Sequence, residues 1–324
     1  MNFQAEGLRV AALGGGHGLP VVLRALKPYT HNITAIVTVA DDGGSSGRLR
    51  RELGVLPPGD LRNNIAALAD DEALMTQLFQ YRFGEGDLEG HSFGNLLITA
   101  LAGITGSMEH ALAEAGRVLA IRGRVLPSTL QDITLEAEVR ALDGTLRRVS
   151  GESHIAQTGG LIERVFLEPA GVRAYPATIQ AVLGAELIVF GPGSLYTSIL
   201  PSLLVGSLTE AIRAANAPCI YVCNIATQAG ETDHFSVADH VAVLEKHIGR
   251  GVINGVLCNN TYPTLNKGAN THYVHLTNED QARLSYFPLH SADLTDYEHP
   301  WRHDSHKLAQ AIFALCEILM PVTA

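Results

Sequence analysis

Gly14, Gly15, Gly16 and Gly18 sit between an apolar run at residues 9–13 and a helical pattern over about 19–26, and a second apolar run follows at 33–39. No other feature narrows the fold as much. Strand, glycine loop, helix and strand in that order make a βαβ unit, with parallel strands and the loop at the carboxyl edge of the sheet. A backbone without side chains lets an anion come close there, and the helix N-terminus adds partial positive charge worth about 0.3 to 1 kcal/mol, up to ~2 when partly buried. The loop, GGGHGLP, lacks the Gly-Lys-Ser/Thr ending of a P-loop, and counting from Gly14 puts Leu19 where a dinucleotide fingerprint wants its third glycine. A phosphate or nucleotide fits this spacing; a tight turn packed on its helix is the structural alternative.

The α/β rhythm breaks once. ITLEAEVRAL alternates with period two, and Asp143-Gly144 turns it back into TLRRVSGESHI, which predicts an antiparallel β-hairpin inserted at about 122–170. The rhythm then resumes through ELIVFGPGS, CIYVCNIATQAGET and GVLCNN, with helices expected to about 215, over 237–247 and over 305–319. Crossover helices imply parallel strands. The expected architecture is one α/β domain over residues 1–324, a Rossmann-like, mostly parallel sheet with helices on both faces and the hairpin as insertion.

A chain that is 46% hydrophobic and 17% charged can bury a large core. Its net charge of -10 argues against nucleic acid as a partner, which needs a basic stripe. No apolar run approaches the ~18 residues of a membrane span, and the N-terminus lacks a signal-peptide layout, so a cytoplasmic location is expected. Cys219 and Cys223 fall in one strand, roughly 13 Å apart, too far for a disulfide. Cys258 and Cys316 read as buried thiols.

Several polar residues stand at strand ends, where such sheets bind ligands. Asp41 and Asp42 follow the second strand and can accept sugar hydroxyls, hold a magnesium ion, or cap their own turn. Ser45, Ser46 and Arg48 continue that loop, and Arg48 can grip a phosphate with two donors. In GDLRNN, Asp60 reads as a helix N-cap, leaving Arg62 and Asn63 for a ligand; in HSFGNL, Ser92 reads as an N-cap, with Asn95 and His91 near the cleft. His91 is the one candidate acid or base outside the aspartates, although a lone histidine is more often structural. GPGSLYTS repeats the first loop's logic, so Gly191, Gly193 and Ser194 can hold a second anionic group, and two such loops suit a diphosphate. Asn224, Thr227 and Gln228 offer neutral contacts to a base or sugar. The histidines at 299–306 lack partners for a convincing zinc set.

GGGHGL, DDGGSSGRLR, GDLRNN, HSFGNL, GPGSLYTS, ATQAGET and RHDSHKLA, in this order over almost the whole chain, resemble the gluconeogenesis factor family, the YvcK-type branch of the CofD-like proteins. The resemblance implies a CofD-like fold and binding of UDP-N-acetylglucosamine. It also implies a role in cell shape and peptidoglycan precursor synthesis during growth on gluconeogenic carbon, exercised through regulatory protein partners; the inserted hairpin could separately serve as a homodimer surface. Carried over by motif, the site falls on the glycine loop, Asp41, Asp42, the Ser194 loop, Asn224, Gln228 and Arg302, with Lys267 in the uridine-side segment. His17 replaces the threonine that many members carry. Three readings stay open: a ligand-sensing regulator with no required cofactor, a transferase of the 2-phospho-L-lactate transferase type using a metal at Asp41 or Asp42, and an NAD-dependent oxidoreductase.

Overall fold

The computed structural model describes residues 7–69, 74–263 and 272–320. Its strands are β1 (Val10–Gly14), β2 (Ile33–Val37), β3 (Arg124–Pro127), β4 (Thr134–Arg140), β5 (Leu146–Ser150), β6 (Leu161–Glu168), β7 (Leu187–Phe190), β8 (Cys219–Val222), β9 (Gly255–Asn259) and β10 (Leu289–Ala292). Seven form one sheet in the order β10-β9-β8-β7-β1-β2-β3, and each neighbouring pair is parallel. β1, β2, β7, β8 and β9 are buried along their whole length, as strands covered on both faces must be, which is why they read as unbroken apolar runs.

Amphipathic helices supply the cover. Gly18–Leu26 buries Leu19, Val22, Leu23 and Leu26 and packs against Pro58–Leu68 and Ser305–Leu319. Each such leucine contributes about 1.5 to 3 kcal/mol on burial. The last helix has the expected bounds, opens on an Asp304 cap to the Lys307 N–H at 2.8 Å, and turns Leu308, Ile312 and Leu315 inward. A further short helix runs over Leu74–Gln80.

The insertion is larger than a hairpin. β4 pairs antiparallel with β5 through the expected Asp143-Gly144 turn, and β6 adds a third strand on its other side. Leu135, Ala137 and Val139 face inward, as the alternation predicts. β3, within the span assigned to the insertion, belongs to the main sheet as the edge partner of β2. The four cysteines are free and buried.

Candidate functional site

The sheet order reverses between β1 and β7: β2 and β3 lie to one side, β8, β9 and β10 to the other. Connections leaving these two neighbours diverge, and the crevice at their carboxyl ends is where open parallel sheets bind ligands. Both glycine loops stand there, and they touch. A Cβ on Gly18 would lie 1.9 Å from the Pro192 carbonyl oxygen, so only glycine permits the contact. At the end of β8, Asn224 clamps the second loop: its Nδ2 donates to the Gly193 carbonyl and its Oδ1 accepts from the Gly193 N–H, both at 2.8 Å. Gln228 Nε2 donates to Ser194 Oγ at 2.6 Å.

Two cavities open on either side of this paired loop. The first, about 440 Å³, is lined by Gly16, His17, Gly18, Asp41, Ser45, Ser46, Asp60, Arg62, Asn63, Arg82, Asn95, Glu152, Gly193, Ser194 and Gln228, among others. The second, about 710 Å³, shares His17, Gly18, Gly193 and Gln228 and adds Arg24, Asn224, Thr227, His299, Trp301 and Arg302. They are two lobes of one cleft.

Charge in the first lobe is set by burial. Asp60 is not a cap; the cap of Pro58–Leu68 is Pro57, and the Asp60 carboxylate, in the first turn, reaches back to accept the Gly16 N–H at 2.7 Å. Burial raises it to about 6, with neighbouring Asp41 adding to the rise. Asp41 accepts from the Gly43 N–H at 2.9 Å and is also raised by burial. Glu152 enters from the insertion and is pushed up to about 9 by burial and by Asp41, Asp60 and Asp42. Opposite stands Arg62, lowered by burial to about 10, whose Nη2 donates to Asn63 Oδ1 at 2.6 Å. Arg62 Nε and Asn95 Oδ1 are buried without a partner among the described residues, so the lobe holds both a donor and an acceptor still to be satisfied. Ser45 Oγ is fixed by His91 Nδ1 and Asn95 Nδ2, each at 3.0 Å, and Ser46 Oγ accepts the Gly59 N–H at 3.0 Å.

Most residues chosen from the sequence converge here, but four have other work. Asp42 turns toward the insertion, where its Oδ1 accepts the Ser153 N–H at 3.0 Å. Among the described residues no group of three or more His, Cys, Asp or Glu side chains is arranged to hold a metal. Arg48 donates to the Glu89 carbonyl at 2.6 Å and does not line the cleft. His91 stands behind Ser45, its Nδ1 3.0 Å from Ser45 Oγ, and is lowered by burial and nearby Arg48. Asn224 spends its amide on Gly193. Gly14, Gly15 and Gly191 shape the loops from beneath, Thr227 Oγ1 also accepts the His272 N–H at 3.1 Å, and Lys267 lies outside the described residues. Arg82 and Glu152, both lining the lobe, went unread, since each is a lone charge that no strand–loop–helix pattern in the sequence ties to the ends of the sheet.

Residues 10–310 match the family model described as 2-phospho-L-lactate transferase CofD. The chain is 53% identical over 252 residues to a gluconeogenesis factor of Bacillus subtilis, covering 78% of each. It is 46% identical over 312 residues to a gluconeogenesis factor of Listeria innocua, covering 95% of each. A crystal structure of a protein member of the UPF0052 family from Bacillus halodurans superposes with a TM-score of 0.87 at 41% identity, covering 94% of this chain and 98% of that one.

Proposed function

From the premise that this chain belongs to the gluconeogenesis factor family of CofD-like proteins, we propose that it holds UDP-N-acetylglucosamine and acts as a cytoplasmic sensor of that nucleotide sugar. The observation that supports this most is the two-lobed cleft joined across paired glycine loops. A diphosphate lies at the junction, and each lobe takes one end of the ligand. The polar first lobe suits an acylated sugar: Asn95 Oδ1 and Arg62 Nε seek partners, and a Glu152 that keeps its proton can donate. The larger second lobe, with Trp301 and neutral Thr227 and Gln228, suits a planar base.

Arg302 lines the second lobe with its guanidinium unpaired among the described residues, and in this reading it closes on the diphosphate. Removing one charged hydrogen bond costs about 1.5 to 3 kcal/mol, so Arg302→Ala should weaken UDP-N-acetylglucosamine roughly 10- to 150-fold while the protein keeps its melting temperature. Titration calorimetry against UDP-N-acetylglucosamine, GDP and NAD checks this. Unchanged affinity in a folded variant would make Arg302 a surface residue, and NAD as the preferred ligand would overturn the reading. In the UDP-N-acetylglucosamine reading, occupancy of the cleft is what protein partners in envelope precursor synthesis respond to.

A transferase is the second reading, favoured by Asp41, Asp60 and Glu152 sharing one lobe. Incubation of purified protein with UDP-N-acetylglucosamine should leave it intact. Product that disappears in Asp41→Asn would make the chain an enzyme.

A further inference from the structure

At the amino pole of the main sheet, on the far side from the cleft, β1, β2 and β3 begin side by side. Their first residues and the loops before them therefore meet at one edge. Arg9, His31, Asn32, Thr34, Arg124 and Gln180 line a depression of about 640 Å³ there, within the size range of small-ligand sites. Arg122 stands beside it, its Nη1 3.2 Å from His31 Nε2. Gly123, between the two arginines, lies flat on β2, where a Cβ would come within 2.6 Å of the Ile33 carbonyl oxygen, so no side chain separates them.

In a chain of net charge -10, this pole gathers three guanidiniums, and their pairing is uneven. Arg9 has Glu186 at 3.3 Å and the Gly184 carbonyl at 2.7 Å. Among the described residues Arg122 has only an imidazole nitrogen, which accepts its hydrogen and leaves its charge uncompensated. Arg124 Nε donates to Thr34 Oγ1 at 2.9 Å, and no described carboxylate pairs with either arginine. Other arginines on the surface do find acids, as Arg140 does in Glu163 and Arg283 in Asp239, so two arginines without a described carboxylate, separated by one residue at a single edge, are a local feature.

We propose that this pole binds the phosphate of a small phosphorylated metabolite, with Arg122 and Arg124 as the fork on its oxygens and His31 as a further donor. Guanidinium planes match phosphate geometry with two parallel hydrogen bonds each, and the open depression leaves room for the rest of the molecule. The site is separate from the cleft.

Calorimetry on the full chain with inorganic phosphate and with glucose 6-phosphate tests it, using wild type, an Arg122→Gln/Arg124→Gln double variant, an Arg122→Lys/Arg124→Lys variant and Arg302→Ala. Wild type and Arg302→Ala should bind both probes alike. The glutamine pair should lose at least tenfold, and the lysine pair, which keeps charge without the fork, should fall between. UDP-N-acetylglucosamine titrated into the same proteins reports the cleft independently, so either reading can fail alone. No uptake by wild type, glutamine-pair affinity equal to wild type, or a loss confined to Arg302→Ala would overturn the proposal.

Discussion

Asp60 has the most unusual position of any single residue in the cleft, since its half-buried carboxylate accepts the Gly16 amide that a phosphate would otherwise claim. Its pKa is about 6 in the folded chain against an ordinary 3.8. An acid raised on folding stabilises the native state through its proton, so its contribution is complete below 3.8 and is lost as pH rises through about 6. The difference amounts to something on the order of 3 kcal/mol. Asp60→Asn keeps an oxygen for the Gly16 N–H and removes the titration. Relative to wild type, Asp60→Asn should therefore gain stability between pH 4 and 6.5 and hold that gain at pH 7.5, measured by urea unfolding along the pH series. Parallel stability curves for the two proteins would show that Asp60 is not buried as an acid. GDLRNN pointed to this residue for the wrong reason, because a cap position is a local pattern, whereas reach across 44 residues to Gly16 depends on how the helix is laid on the sheet.

At the scale of elements, local periodicity found what local periodicity can find. The apolar runs of β1, β2, β7, β8 and β9 and the last helix were legible, because burial on both faces or along one stripe leaves a strong repeat. β10, four half-buried residues at the sheet edge, carries no such repeat, and it is held by pairing with β9, which local pattern does not encode. β6 falls in the span assigned to the insertion, but its place as a third strand is likewise set by pairing, here with β4. The insertion's link to the cleft was hidden too: Asp42 holds Ser153, and the Gly230 turn packs so closely on Ala156 that a Cβ would come within 2.1 Å of its carbonyl oxygen. These contacts brace the short helix Glu152–Ile155, which carries Glu152 into the first lobe. Asp42→Ala should loosen that helix, raising amide exchange over residues 151–157 and lowering global stability by about 1 to 2 kcal/mol. UDP-sugar affinity should fall only a few-fold, since Asp42 itself does not face the cleft. Unchanged exchange with a large loss of affinity would reverse the assignment and make Asp42 a ligand contact.

The whole molecule is organised around one seam, where β1 and β7 meet and the two halves of the sheet part company. A ligand seated on both glycine loops touches segments brought together from residues 14–18 and 191–194, so it binds the folded chain and has nothing equivalent to bind in the unfolded one. At 100 times its dissociation constant such a ligand adds about 2.7 kcal/mol of stability. With an unfolding entropy of about 2.1 cal/mol/K per residue, a chain of 324 residues should then melt about 4 °C higher. UDP-N-acetylglucosamine should produce this shift in wild type and a smaller one, at the same concentration, in Arg302→Ala, while NAD produces none. The control is Gly18→Ala, whose new methyl group must push the Pro192 carbonyl away and part the loops. It should lower the melting temperature without ligand and abolish the shift with it, because the diphosphate loses the joined platform. A full shift in Gly18→Ala would mean that the loops act separately, and a shift with NAD alone would move the chain to the dinucleotide enzymes.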